Sequence, residues 1–126
     1  MILLLDTNAL LWLVLGDSAL GPKARERIEA ASRICISDVA LLEISIKAAK
    51  RKLEAPAGLG TLVDQLGIVR IGIRDKYLDM LRELPLHHKD PFDRYLIAQA
   101  LVDSSTVVTS DPAFAQYGVR VIDARV

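Results

Sequence analysis

Short apolar runs that end in polar residues constrain the fold of this chain most. Ile2–Leu5 is continuously apolar and is followed by Asp6, a pattern that predicts a strand buried on both faces. Four further short strands are predicted, at 33–36, 68–71, 106–109 and 119–122. Segments with helical periodicity separate them, and strands that alternate with helices form a parallel sheet through right-handed crossovers. The sequence therefore predicts an α/β protein, a three-layer α/β/α sandwich with a central, mainly parallel sheet.

Capping residues set the expected helix bounds. Thr7 or Asn8 can cap the first helix, and Ser37–Asp38 can cap the third. Asp90 before Pro91 has the sequence of an N-cap and a first helical residue, so Asp90 is interpreted as structural. The predicted helices cover about 8–15, 22–31, 38–49, 62–66, 75–84 and 91–103, with a loop at 53–60 and a single turn after Pro112. No repeat or linker interrupts this order, so residues 1–126 are expected to form one domain.

Composition narrows the functional classes. Sixteen basic and sixteen acidic residues cancel, whereas a protein that coats nucleic acid is usually basic. Cys35 is the only cysteine, which excludes a disulfide framework and a cysteine-based zinc site. The start of the chain has no signal-peptide pattern, and the apolar stretch Ala9–Leu15 is too short to span a bilayer. We expect a cytoplasmic protein with no membrane segment. The apolar content of 52% fits either a surface covered by a partner or a helix-rich core.

Four acids occupy positions typical of a ligand site. Asp6 and Asp111 follow predicted strands, and Glu43 and Asp93 lie near the starts of predicted helices. Such positions line the crevice at the carboxyl edge of a parallel sheet. Carboxylates gathered there repel one another unless a cation lies among them, and an all-oxygen cluster suits Mg²⁺ or Mn²⁺. The pattern therefore predicts a metal-dependent enzyme that acts on phosphate esters.

Each of these acids also has a simpler structural interpretation. Asp6 and Asp111 could only cap the segments that follow them. Glu43 could pair with Lys47 one helical turn later, bind a metal, or do both. Asp93 could only compensate the helix dipole, although its helical face is otherwise apolar. The four together favour a site over four separate caps.

Polar neighbours of the acids could support the site or contact a substrate. These candidates are Thr7, Asn8, Lys47, Arg94, Thr109 and Ser110. The pair His87–His88 resembles no metal-ligand spacing and is interpreted as a weak candidate for substrate contact. Motifs of P-loop proteins, dinucleotide-binding proteins, zincins and serine hydrolases are absent.

Four segments that carry the acids match the pattern of a known family. They are Leu5-Asp6-Thr7-Asn8-Ala9-Leu10-Leu11-Trp12, Leu42-Glu43-Ile44-Ser45-Ile46-Lys47 followed by Lys52-Leu53, Asp90-Pro91-Phe92-Asp93-Arg94 with Leu96-Ile97-Ala98-Gln99-Ala100, and Val108-Thr109-Ser110-Asp111. In these segments the chain resembles the PIN-domain ribonucleases and, within them, the VapC-type toxins of bacterial type II toxin–antitoxin pairs. The resemblance implies an acid quartet of Asp6, Glu43, Asp93 and Asp111, with the helical spacing to Ala100 selecting Asp93 over Asp90. Many relatives carry His where this chain has Asn8.

The resemblance implies an activity and partners. It implies an endoribonuclease that uses Mg²⁺ or Mn²⁺ to activate water for in-line attack on phosphorus, leaving 5′-phosphate and 3′-hydroxyl ends. It also implies structured RNA substrates such as tRNA, a homodimer, and neutralisation by a small VapB-type antitoxin. One alternative is a phosphatase of the haloacid dehalogenase class with Asp6 as nucleophile, which normally has a second Asp where this chain has Asn8. The other is a non-catalytic α/β interaction module whose acids are mostly caps.

Overall fold

Five parallel strands form the centre of the molecule. The computed structural model describes residues 1–126, and its strands are β1 Ile2–Leu5, β2 Arg33–Ser37, β3 Val69–Ile71, β4 Thr106–Thr109 and β5 Arg120–Asp123. They lie in the order β3-β2-β1-β4-β5, and each neighbouring pair is parallel. The predicted α/β class with a parallel sheet is confirmed.

Helices cover both faces of this sheet. They are α1 Thr7–Leu15, α2 Pro22–Ala30, α3 Asp38–Ala49, α4 Leu59–Gln65, α5 Asp75–Glu83 and α6 Pro91–Asp103, followed by the 3₁₀ helix Pro112–Tyr117. Side chains of successive strand residues point to opposite faces, and Leu3, Leu4 and Leu5 are all 0% exposed. Both faces of β1 are therefore covered, as a three-layer sandwich requires. None of the helices has the length and apolar content needed to cross a membrane.

The strand order reverses between β1 and β4. From β1 the chain adds β2 and β3 on one side, and it then returns to place β4 and β5 on the other. The backbone N–H of Asp6 continues the β1–β4 ladder by donating to the carbonyl oxygen of Val108 over 3.1 Å. The crevice outside the carboxyl ends of two such strands is where open α/β sheets bind ligands. Asp6 is thus fixed by backbone hydrogen bonding at the mouth of that crevice.

Two expected helix starts are wrong, each for a local reason. Asp6, not Thr7 or Asn8, caps α1, because its Oδ1 accepts a hydrogen bond from the N–H of Ala9 over 2.8 Å. Helix α4 begins at Leu59, inside the expected loop, because Gly58 adopts a left-handed conformation at φ 71° that turns the chain into the helix. The expected single turn after Pro112 is a 3₁₀ helix of six residues. The other bounds agree to within about one residue, and Asp90 caps α6 as predicted.

The cap of α6 yields a stability prediction. Asp90 Oδ1 accepts hydrogen bonds from the N–H groups of Phe92 and Asp93 over 2.8 and 3.1 Å. Loss of an N-cap side chain costs about 0.5–2 kcal/mol. We expect Asp90→Ala to be less stable than Asp90→Asn by that amount in urea unfolding, because both changes remove the charge and only Asn keeps a capping oxygen. Equal stability of the two variants would show that the cap contributes nothing.

Candidate active site

The four predicted acids lie together at the carboxyl edge of the sheet. Asp6 follows β1, Asp111 follows β4 by two residues, Glu43 lies in α3, and Asp93 lies in the first turn of α6. Burial raises the pKa of Asp6, and the charges of Glu43 and Asp111 raise it further. Glu43 and Asp6 likewise raise the pKa of Asp93. The charges of these carboxylates therefore act on one another, as the sequence pattern predicted.

Glu43 is buried and fully partnered. The residue is only 3% exposed, and a buried carboxylate needs hydrogen-bond partners. The Thr7 hydroxyl donates to Oε1 over 2.6 Å, and the Lys47 ammonium donates to Oε2 over 2.6 Å. The hydrogen bond to Glu43 also raises the pKa of Lys47. The predicted pairing of Glu43 with Lys47 is confirmed, and it fixes the orientation of the carboxylate.

Asp6 and Asp111 each use one oxygen as a cap. Asp6 Oδ1 caps α1, while Asp111 Oδ1 accepts from the N–H of Ala113 over 2.9 Å at the start of the 3₁₀ helix. Thr109 lies between the two acids: its Oγ1 accepts from the N–H of Asp111 over 3.0 Å, and its side-chain hydrogen bonding lowers the pKa of Asp6. Each cap uses only one oxygen of its acid, and the second oxygen of Asp111, Oδ2, lies 2.9 Å from His88 Nε2. Capping and ligand binding are therefore compatible roles for these residues.

His88 joins the acids, which the sequence interpretation missed. Its Nε2 lies 3.1 Å from Asp93 Oδ2 and 2.9 Å from Asp111 Oδ2, and one potential ligand atom from each of the three residues lies within 4.8 Å of the others. The neighbouring His87 instead packs its ring against Tyr117, with centroids 5.1 Å apart. The spacing of the histidines carries no metal signature. The one sequence feature that could have indicated a role for His88 at the site is its position two residues before Asp90, the N-cap of α6.

Negative charge in this crevice exceeds positive charge. Burial raises the pKa of Asp93 to about 7, and the charges of Asp90 and Glu43 contribute further. Asp90, interpreted from sequence as structural, therefore also acts on the site through its charge. Lys47 is the ammonium partner, and it is already paired with Glu43. A set of oxygen donors with uncompensated charge is the environment that Mg²⁺ and Mn²⁺ prefer, so these residues fit such an ion.

The other polar residues that the sequence suggested as supporting or substrate-contact candidates differ in exposure and in hydrogen-bond partners. Asn8 is exposed, and Ser110 is half-buried beside Thr109. Arg94 donates to the carbonyl oxygen of Pro85 over 2.8 Å and to the Tyr117 hydroxyl over 3.3 Å. These contacts fix the loop that carries His88. A pocket opens beside that loop, lined by Leu81, Leu86, His88, Lys89, Pro91 and Arg94.

Residues 3–120 of this chain match the PIN domain. The chain belongs to the PIN domain family. This assignment disfavours the haloacid dehalogenase alternative, in agreement with the exposed Asn8 at the position where that class has its second acid. No curated protein sequence matches the chain significantly.

Solved structures share the fold of this PIN domain at low sequence identity. VapBC2 from Rickettsia felis, bound to a DNA fragment from its promoter, gives a TM-score of 0.72 at 17% identity, covering 97% of this chain and 98% of that one. DNA-bound VapBC from Salmonella typhimurium gives a TM-score of 0.72 at 21% identity, and the match covers 98% of each chain. FitAcB from Neisseria gonorrhoeae gives a TM-score of 0.64 at 18% identity, and the match again covers 98% of each chain. At these identities the likeness establishes the fold.

The raised pKa of Asp93 predicts a pH-dependent stability difference. Asp93 in the folded PIN domain has a pKa of about 7, whereas the ordinary pKa of an aspartate is 3.8. The folded state therefore binds more protons than the unfolded state between these values, and its stability falls as pH rises through this window. In EDTA, Asp93→Asn should gain stability relative to wild type between pH 4.5 and pH 8. One pKa unit is worth about 1.4 kcal/mol, and the relative gain should exceed that amount. A stability difference independent of pH would contradict the burial of an ionisable Asp93.

Proposed function

We propose that residues 1–126 form one nuclease domain, a metal-dependent endoribonuclease that acts as the toxin of a toxin–antitoxin pair. The observation that carries the proposal is the convergence of four acids from separate segments on the switch point between β1 and β4, with excess negative charge. Membership of the PIN domain family supports it. The toxin–antitoxin assignment is supported by solved neighbours that are themselves toxin–antitoxin proteins, including a toxin–antitoxin complex from Klebsiella pneumoniae.

Asp6, Glu43 and Asp93 would hold Mg²⁺ or Mn²⁺, with Asp111 as a direct ligand or a ligand through water. When bound, the ion would lower the pKa of a coordinated water molecule and stabilise charge on the phosphate oxygens. The donor set supports this assignment, because carboxylate oxygens are the ligands that these hard cations prefer. The capping hydrogen bonds orient the second oxygens of Asp6 and Asp111, and that of Asp111 lies 2.9 Å from His88 Nε2.

Neighbouring side chains would position the acids for this chemistry. Thr7 and Lys47 hold the two oxygens of Glu43, so that the carboxylate does not rotate. Thr109 connects Asp6 with Asp111. Such partners orient ligands and tune their basicity. Preorganisation of this kind leaves less rearrangement for the moment of reaction.

The proposed substrate is RNA, bound across the crevice. The chain has no net charge, so phosphate binding would depend on the cation and on local basic groups. Lys89 and Arg94 line the pocket beside His88, and Lys47 lies at the acids. Asn8 and Ser110, at the ends of the two central strands, are further candidates for contact with the RNA backbone. The sequence that is cut depends on contacts beyond these acids.

Replacement of ligand acids tests the proposal. Asp6→Asn and Asp93→Asn remove a charge while nearly preserving shape, so the fold should survive. RNA cleavage should fall more than about 100-fold, beyond the loss typical of an outer-shell partner, and calorimetric Mn²⁺ affinity should fall with it. Asp79→Asn, on the exposed face of α5, is the matched control and should behave as wild type. Sequencing the new 5′ ends from total RNA, with Mn²⁺ or with EDTA, identifies the sites cut.

Two results would contradict the assignment. Full cleavage by well-folded Asp93→Asn would remove that residue from the site. Absence of any Mg²⁺ or Mn²⁺ binding by the wild-type protein would instead favour the non-catalytic interaction module.

The proposed partners are a small VapB-type antitoxin and a second copy of the chain. The apolar run Leu10–Leu15 exceeds what α1 can bury: Trp12, Leu13 and Val14 are half-buried, and Leu15 is 51% exposed. We propose that the surface formed by residues 10–28 is covered by the antitoxin or by the other protomer. The structures that share the fold include one named as a member of the VapBC family of toxin–antitoxin systems, and VapBC and FitAB structures that are each bound to DNA.

Trp12 provides a direct readout of that partner, because it is the only tryptophan. Adding the cognate antitoxin should blue-shift or quench its fluorescence and should inhibit cleavage at matching stoichiometry. Leu15→Glu should weaken both effects, whereas Leu66→Glu, at 54% exposure on another surface, should not. A chain that stays monomeric and binds no apolar dye at residues 10–28 would contradict the proposed surface.

A further inference from the structure

The imidazole of His88 lies where two carboxylates of the proposed metal site meet. Its Nε2 is 2.9 Å from Asp111 Oδ2 and 3.1 Å from Asp93 Oδ2. Both distances are those of hydrogen bonds. Oxygen ligands lie about 2.0–2.1 Å from Mg²⁺, so an ion ligated by both of these oxygens needs the space in front of Nε2. The imidazole and such an ion therefore compete for one position.

Backbone geometry fixes the proton of His88. The N–H of Asp90 donates to His88 Nδ1 over 3.1 Å. A backbone N–H can only donate, so Nδ1 carries no proton and the neutral ring carries its proton on Nε2. The Nε2–H therefore donates a hydrogen bond to Asp111 Oδ2 over 2.9 Å, and Asp93 Oδ2 lies within ion-pair distance of the same nitrogen at 3.1 Å. In this arrangement Nε2 has no free lone pair with which to ligate a metal.

The loop holds His88 in this orientation from its other side. The N–H of His88 donates to the Tyr117 hydroxyl over 2.8 Å, and that hydroxyl donates to the carbonyl oxygen of Pro85 over 2.8 Å. Arg94 donates to the same carbonyl. The ring is half-buried, with the side chain 17% exposed. The orientation of the imidazole is therefore determined by several independent contacts.

We propose that His88 is a positioning residue that occupies the place of the cation in the metal-free protein and is displaced when the cation binds. Its Nε2–H holds Asp93 and Asp111 together against their mutual repulsion, so the two carboxylates remain at ligating distance before the ion arrives. The hydrogen bond to Asp111 and the contact with Asp93 must both break when the ion takes the two oxygens, which lowers the affinity for the ion. This inference rests on the proposed metal site and adds a residue to it.

Metal affinity distinguishes this role from that of a ligand. At pH 8, His88→Ala should bind Mn²⁺ about fivefold tighter or more, since a hydrogen bond of ordinary net strength to Asp111 no longer has to be broken. Its melting temperature in EDTA should be lower than that of wild type. His88→Gln should bind Mn²⁺ nearly as wild type does, because its amide can still donate to the carboxylates. His87→Ala is the matched control, because the His87 ring packs against Tyr117 and not against the acids.

A measurement on the wild-type protein does not depend on how the variants fold. Long-range ¹⁵N NMR correlation of the histidine rings should show His88 protonated at Nε2 without metal. Titration with Mg²⁺ should move the ring signals of His88 and leave those of His87 in place. Unchanged His88 signals at saturating Mg²⁺ would overturn the displacement.

The remaining outcomes separate the inference from the proposed function. Weaker Mn²⁺ binding by His88→Ala, together with ¹⁴N coupling in the spin-echo spectrum of bound Mn²⁺, would make His88 a ligand and overturn the inference. Unchanged affinity would make it merely structural, with the same consequence. In both cases wild-type RNA cleavage in Mn²⁺ would persist, so the proposed function would stand. Loss of the function itself would show as no cleavage and no Mn²⁺ binding by the wild-type protein.

Discussion

Mutual repulsion among carboxylates is the constraint on which the site depends. Asp6, Glu43, Asp93 and Asp111 meet at the carboxyl edge of the sheet, and Asp90 adds a fifth charge to the field at Asp93. Each acid is partly or wholly buried, so water screens their charges poorly. The fold tolerates this arrangement because helix N-termini, hydroxyl groups and one lysine supply partners for individual oxygens. The remaining charge is what the proposed divalent cation would neutralise, and without the cation the clustered charges are a local cost in stability.

The two oxygens of a carboxylate can serve different purposes, one in stabilising the fold and the other at the candidate site. One oxygen of Asp6 and one of Asp111 cap the following helical segments, which contributes to stability whether or not an ion is present. The same hydrogen bonds fix the rotation of each side chain and so aim the second oxygen. Glu43 reaches the same result through Thr7 and Lys47. The same side chains therefore follow the strands, start the helical segments and would orient the oxygens that are proposed to bind the cation.

The sheet and the placement of the four acids at its edge could be predicted from the sequence because both depend on local patterns. Continuous apolar runs marked β1 and β4, and an acid after each run placed Asp6 and Asp111 at one edge. The role of His88 could not be predicted this way, because it depends on a loop whose path is set by Arg94 and Tyr117, the latter more than twenty residues later in the chain. The cap of α1 was misassigned because Asp6, Thr7 and Asn8 are all good capping residues. Packing then decided among them: Thr7 is buried against Glu43, Asn8 is exposed, and Asp6 takes the cap.

The pairing of β1 with β4 has a consequence for how the protein is made. This ladder joins Leu3, Leu4 and Leu5 to Thr106, Val107 and Val108, which leave the ribosome about a hundred residues later. Chains are synthesised from the N-terminus, so β1, β2 and β3 emerge while Asp93 and Asp111 have yet to be added. A nascent chain therefore lacks two of the four site acids until α6 and Asp111 have been synthesised, and β1 lacks one neighbour until β4 has been added. If the domain is the RNA-cleaving toxin proposed, a chain that has not yet added Asp93 and Asp111 lacks part of the site that would cut the messenger it is being translated from.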